Sequence, residues 1–150
     1  METKQNFSRS LAHADRDAVL QMADQVRQMH PVRLIRAPAK TLVMLRARES
    51  VRGELFNFGE LLATECLVEV AGVTGVAVLA GSDPEKCLAM AILDAAHSAK
   101  LDIMQQFAEQ ITKFTQARLS DLQHEAAQHQ KTRVQFKIME DLYVATDGEH

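Results

Sequence analysis

Five of the six glycines in this 150-residue chain fall between positions 53 and 81, and the runs around them alternate apolar and polar residues. That pattern commits the middle of the chain to strands and tight turns. Side chains of a strand point to opposite faces in turn, and glycine bends the backbone at no steric cost. Residues 61–70 are the clearest case, with Thr64, Cys66, Val68 and Val70 on one face and Ala63, Glu65, Leu67 and Glu69 on the other. Gly72-Val73-Thr74-Gly75 is predicted as a hairpin turn and residues 76–80 as the next strand. Upstream, residues 32–37 and 41–48 read as two more strands, separated by a turn at Pro38-Ala39-Lys40. In the second of these, Val43, Leu45 and Ala47 share one face; Leu42, Met44, Arg46 and Arg48 share the other. Residues 49–60 then form a long connection.

The flanks switch to helical spacing. Leu11, Val19, Leu20, Met22, Ala23 and Val26 mark a helical stretch over residues 8–28, which the Asp15-Arg16-Asp17 cluster can split in two. His30-Pro31 ends it, because a residue before proline is pushed out of the helical region. Asp83 is a natural N-cap, with Pro84 at the first helical position. The helix it opens carries a narrow stripe of Leu88, Ala91, Ile92, Ala95 and Ala99, suited to close packing on a sheet. Residues 102–114 and 116–130 continue helical, the second more polar. Residues 132–138 return to period two, with Val134, Phe136 and Ile138 alternating with Arg133, Gln135 and Lys137.

The expected fold is therefore α+β, an antiparallel four-stranded meander sheet packed with N-terminal and C-terminal helices. One domain is expected over residues 1–150: helices at about 8–29, sheet at about 32–80, helices at about 83–130 and an extended tail over 131–150. With 47% hydrophobic residues the chain can bury a core without metal or disulfides. The net charge of −3 offers no basic footprint for nucleic acid. The longest apolar run, residues 76–80, is too short to span a bilayer, and the polar start lacks a secretion signal. Two isolated cysteines fit a reducing cytoplasm, the expected location.

No motif assembles a catalytic centre. His124 and His129 in HEAAQH stand five apart, so their side chains point roughly 140° away from each other, unlike the i,i+4 pair of a zinc helix. His13, His30 and His97 have no carboxylate or cysteine at ligand spacing. Cys66 and Cys87 read as buried structural thiols, although Cys87 lies in the first turn of a helix, where a thiol can be activated. The helix start at Gly81-Ser82-Asp83-Pro84 could hold an anion, but Asp83 supplies its own. Neither a catalytic residue nor a metal site is assigned.

The candidate partner interface is Phe56, Phe58, Val134 and Phe136. Two aromatics on a long connection are costly to expose, so they either fold back on the sheet edge or anchor a partner. The alternating tail can add to a sheet edge, its own or another chain's. Arg46 and Arg48 are expected to pair across strands with Glu65 and Glu69.

These landmarks resemble one family. Phe58-Gly59-Glu60, Leu62, Thr64, Gly72, Gly75, Gly81, Asp83, Ala91 and Asp94-Ala95 match its pattern. So do the opening RSLAHADRDAVLQMADQV and the late Thr132-Arg133-Val134-Gln135-Phe136. The chain is similar to the G subunit of the carbon–phosphorus lyase core complex, the PhnG family of phosphonate metabolism. Cys66 departs from it, standing where a small alanine-like residue is more usual. The resemblance implies a cytoplasmic assembly in which the G, H, I and L subunits make alpha-D-ribose 1-methylphosphonate 5-triphosphate from ATP and methylphosphonate, releasing adenine. The J subunit then cleaves the carbon–phosphorus bond. It also implies the I subunit as main contact, with H, J and L as further partners. ATP and Mg are substrates of the complex, with no cofactor bound by this chain, and neither nucleic acid nor membrane is a partner. On this reading the chain is an accessory part of a transferase. The alternatives are a stand-alone homo-oligomeric binding or scaffold protein, and a small thiol enzyme using Cys87.

Overall fold

The computed structural model describes residues 3–131. Two compact units are distinguished, Met1–Arg118 and Leu119–His150. The first holds the helices α1 (Lys4–His13), α2 (Arg16–Met29) and α3 (Pro84–Ser98) and the strands β1 (Val32–Arg48), β2 (Leu55–Val70) and β3 (Val73–Ala80). A last helix, α4 (Ile103–Lys131), begins in the first unit and supplies all that is described of the second.

The fold class is α+β, but the sheet has three antiparallel strands in the order β1-β2-β3, not four. The expected turn at Pro38-Ala39-Lys40 does not divide the chain. β1 runs straight through it, with register shifts between Leu34 and Arg36 and between Arg36 and Ala39. The reason is position: β1 is an edge strand, and proline, which lacks an N–H, is tolerated at an edge and at bulges. The long connection also shrinks. β2 begins at Leu55, so the link is a short turn closed by Glu49 N–H to Glu54 O at 2.8 Å.

The β2–β3 turn is tighter than expected. Ala71 (φ 51°) and Gly72 (φ 76°) both take left-handed conformations, as a two-residue type I′ hairpin requires, and Gly75 lies within β3. Asp15 caps α2 by accepting from Ala18 N–H, so the DRD cluster does split the N-terminal helical stretch. What read as two helices after residue 101 is the single helix α4.

α3 is the centre of the first unit. It packs on β2 and β3 with one side and on α2 with another. Ala89 through Ala96 are all buried, so the expected narrow stripe is a helix enclosed nearly all round. Cys66, Val68 and Val70 of β2 and Ala77 and Leu79 of β3 meet it from the sheet; Phe7, Leu11, Val19, Met22 and Val26 extend the core on the helical side. Lys86 ties the layers together, its Nζ donating to Ala12 O at 2.8 Å and Ala14 O at 2.9 Å at the α1–α2 corner. Burial lowers the pKa of Lys86.

Candidate partner interface

β3 covers only the inner half of β2. Its last pairing is Ala80 with Ala63, followed by a bond from Gly81 N–H to Leu62 O at 2.8 Å. Beyond that point β1 and β2 continue alone as a two-stranded ribbon, from the Leu42–Leu62 pair to the Arg48–Leu55 pair. Such a ribbon is marginally stable in water by itself, so one rich in apolar residues favours a partner surface.

Directly paired residues share a face, which sorts the ribbon into two sides. Val43 with Leu61, Leu45 with Gly59, and Ala47 with Phe56 lie on the side continuous with the open face of the sheet. A register shift between Leu45 and Arg46 leaves Phe58 as the extra residue of a bulge. Its ring centroid is 6.3 Å from that of Phe56 with a tilt of 60°. Phe56 is 47% and Phe58 58% exposed. The same face continues over the sheet through Val78 and Val76, both exposed, which flank Glu65 and Leu67 of β2. Toward its base this face turns polar. Arg33 Nη2 pairs with Glu69 Oε2 at 2.8 Å, and Arg36 Nη1 with Glu65 Oε1 at 3.5 Å. The hydrogen bond from Arg33 holds the Glu69 carboxyl below its ordinary pKa.

These ion pairs correct an expectation. Glu65 and Glu69 are taken by Arg36 and Arg33, not by Arg46 and Arg48. The distal arginines stand opposite Asn57 and Leu55 instead. The hairpin turns at residues 49–54 and β2 starts at Leu55, so the end of β1 pairs with the start of β2 and the base of β1 with Glu65 and Glu69.

Among the sequence-derived interface residues, Phe56 and Phe58 thus sit on strand β2 rather than in a loop. Val134 and Phe136 lie outside the described residues. The structure adds Val43, Leu61, Val76 and Val78 to the face that carries Phe56. Their alternation was visible in the sequence, but not which face a helix would cover.

Elsewhere, the two thiols, Asp83 and His97 are engaged within the fold. Cys66 and Cys87 are fully buried. The Cys87 thiol donates to Thr64 O at 3.2 Å, and burial pushes its pKa up to about 11. Burial also raises Cys66. Both thiols are buried and donate to strand carbonyls, which counts against the thiol-enzyme alternative. Asp83 fills the α3 N-terminus by accepting from Lys86 N–H at 3.1 Å, and Arg16 Nε donates to it at 3.0 Å. Burial of Asp83 opposes its ionisation, but these bonds outweigh it and lower its pKa. His97 stacks on Phe7 with centroids 4.3 Å apart and rings 11° from parallel. Among the described residues, no cluster of three or more His, Cys, Asp or Glu could hold a metal, and no helix is long and apolar enough to cross a membrane.

The family model for phosphonate metabolism protein PhnG matches residues 2–140. The chain belongs to the PhnG family. No curated protein matches it. Membership ties the chain to the phosphonate carbon–phosphorus lyase system, in which a PhnG-family protein is expected to work with other subunits. A half-uncovered sheet with an apolar ribbon is the kind of surface such a role needs.

Proposed function

We propose that this chain is an accessory subunit of the carbon–phosphorus lyase system, working with the H, I and L subunits to form alpha-D-ribose 1-methylphosphonate 5-triphosphate. The observation carrying the reading is the apolar β1–β2 ribbon, on which Phe56 and Phe58 are both exposed with their ring centroids 6.3 Å apart. It docks on the I subunit, the main contact, and H, J and L complete the assembly in the cytoplasm. MgATP is a substrate of the assembly, held outside this chain.

In the reaction a methylphosphonate oxygen attacks C1′ of ATP. The C1′–N9 bond breaks, its electron pair leaves with adenine, and adenine takes up a proton. The triphosphate stays on the ribose. Such chemistry needs a proton donor for the purine and fixed charge beside the developing oxocarbenium centre. Among the described residues, Lys86 is bonded to helix-end carbonyls, Asp83 to its own helix cap, and both cysteines to strand carbonyls. Its role is to position a partner's groups, where small displacements can cost about a hundredfold in rate.

The test is adenine release from MgATP with methylphosphonate. The isolated chain releases no adenine above background. The I subunit alone transfers ribose triphosphate to water, and addition of this chain with H and L redirects the transfer to methylphosphonate. Turnover by the isolated chain, or full methylphosphonate transfer without it, overturns the proposal. A stable homo-oligomer that ignores the I subunit favours the scaffold reading instead.

A further inference from the structure

The ribbon has a second side, and it differs chemically from the first. Leu42 with Leu62, Met44 with Glu60, Arg46 with Asn57 and Arg48 with Leu55 share the side opposite Phe56. Leu42, Met44, Leu55 and Leu62 are all exposed there. At the base of β1, both arginines have glutamate partners across the strand. Along the ribbon, Arg46 faces an amide and Arg48 faces a leucine, and Arg48 Nη1 donates to Gly53 O at 2.6 Å. Neither has a carboxylate partner among the described residues. β1 thus carries two arginines neutralised within the sheet and two that are not.

We infer that the Arg46 and Arg48 side of the ribbon receives carboxylates of the partner on which the ribbon docks: an acidic segment bordering an apolar surface. This rests on the docking role given above. Three features select this occupant. The cations are arginines, whose planar fork matches a carboxylate bidentately. They are set among exposed leucine and methionine side chains, a mixture of arginine with apolar residues characteristic of protein interfaces. The turn beside them offers no glycine-rich cradle of N–H groups for a polyphosphate. Its Gly53 N–H is bonded to Glu49 O at 3.0 Å and its Arg52 N–H to Glu49 Oε2 at 3.3 Å. One side of the arm therefore contributes apolar area and the other charge complementarity, which gives orientation and a fast, salt-dependent encounter.

The experiment uses the assembled complex. Arg46→Glu/Arg48→Glu should weaken assembly by roughly tenfold or more and flatten its salt dependence, while the melting temperature of the isolated chain stays close to wild type. Arg46→Lys/Arg48→Lys should retain assembly and, with a carbodiimide, form amide cross-links from the new lysines to partner carboxylates. Reversing the charge of the cross-linked acid should restore binding to the glutamate variant. A wild-type complex indifferent to the glutamate substitutions overturns this inference and leaves the docking role standing. Cross-links suppressed by MgATP, with weaker nucleotide binding in the glutamate variant, identify a polyphosphate as occupant and also overturn it. Failure of the wild-type chain to assemble with any partner removes the docking role itself.

Discussion

Gly75 of β3 lies directly against the backbone of α3: a Cβ built on it would fall 2.1 Å from the Ala91 carbonyl oxygen and 2.5 Å from Ala95 N. Both are backbone atoms of a buried helix and cannot rotate away. The sheet and its central helix approach this closely because a glycine and two alanines face one another. Gly75→Ala should therefore lift α3 off the sheet, at a cost of at least about 1–3 kcal/mol, the range for overpacked cores. Urea unfolding of the two proteins checks it. Gly59, with nothing within 4 Å of a built Cβ, is the control, and Gly59→Ala should be nearly neutral.

Asp94 sits on α3 with only 2% of its surface exposed. Its Oδ2 accepts the Val76 N–H at 3.0 Å and lies 3.2 Å from Lys4 Nζ. Val76 is on the outer edge strand, so the carboxylate covers a backbone donor that no strand would otherwise satisfy. Asp94→Ala should cost about 1–3 kcal/mol by orphaning that donor, and should speed hydrogen exchange at Val76. Asp94→Asn keeps an acceptor for the Val76 N–H and should lose less than Asp94→Ala.

The thiols should be silent in the folded chain. Iodoacetamide at neutral pH should leave Cys66 and Cys87 unmodified, and both should react once the chain is unfolded, as mass spectrometry would show. The raised pKa of Cys87, about 11 against an ordinary 9, has a definite consequence for stability. The folded state holds the proton more tightly than the unfolded state, so this stabilisation is complete below pH 9 and is lost as pH rises through about 11. Cys87→Ala should show a shallower fall in melting temperature over that window than wild type. Lys86, with its pKa lowered by burial, acts in the opposite sense and is common to both proteins.

Phe56→Ala/Phe58→Ala should separate stability from assembly. Both rings are exposed, so the isolated chain should change by no more than about 0.5 kcal/mol, as is usual for surface positions. Interface anchors contribute about 2 kcal/mol or more each, so binding to the I subunit should fall steeply. Calorimetric titration alongside thermal melting decides it. A double variant that unfolds easily yet binds normally would place the rings in the core.

Local chemistry made several features legible in the sequence. The Asp83-Pro84 helix start, the Asp15 cap, the stop at His30-Pro31 and the buried face Thr64-Cys66-Val68-Val70 all follow from bonds or steric limits within a few residues. The spacing of glycines and strand landmarks was enough to suggest the PhnG family. Tertiary structure decided the rest. Pro38 is a turn residue by propensity, yet it lies in a 17-residue strand because that strand forms the sheet edge. Gly75 looked like half of a turn, but the close approach of α3 is what requires a glycine there. The partners of Glu65 and Glu69 depended on where the β1–β2 hairpin turns, which alternation cannot reveal. Above all, Phe56 and Phe58 are apolar in any context. Only the end of β3 at Ala80, with α3 covering the opposite face of the sheet, leaves them exposed on an arm of two strands. Which of two apolar faces meets solvent is a property of what packs against them, and packing joins residues far apart in the chain.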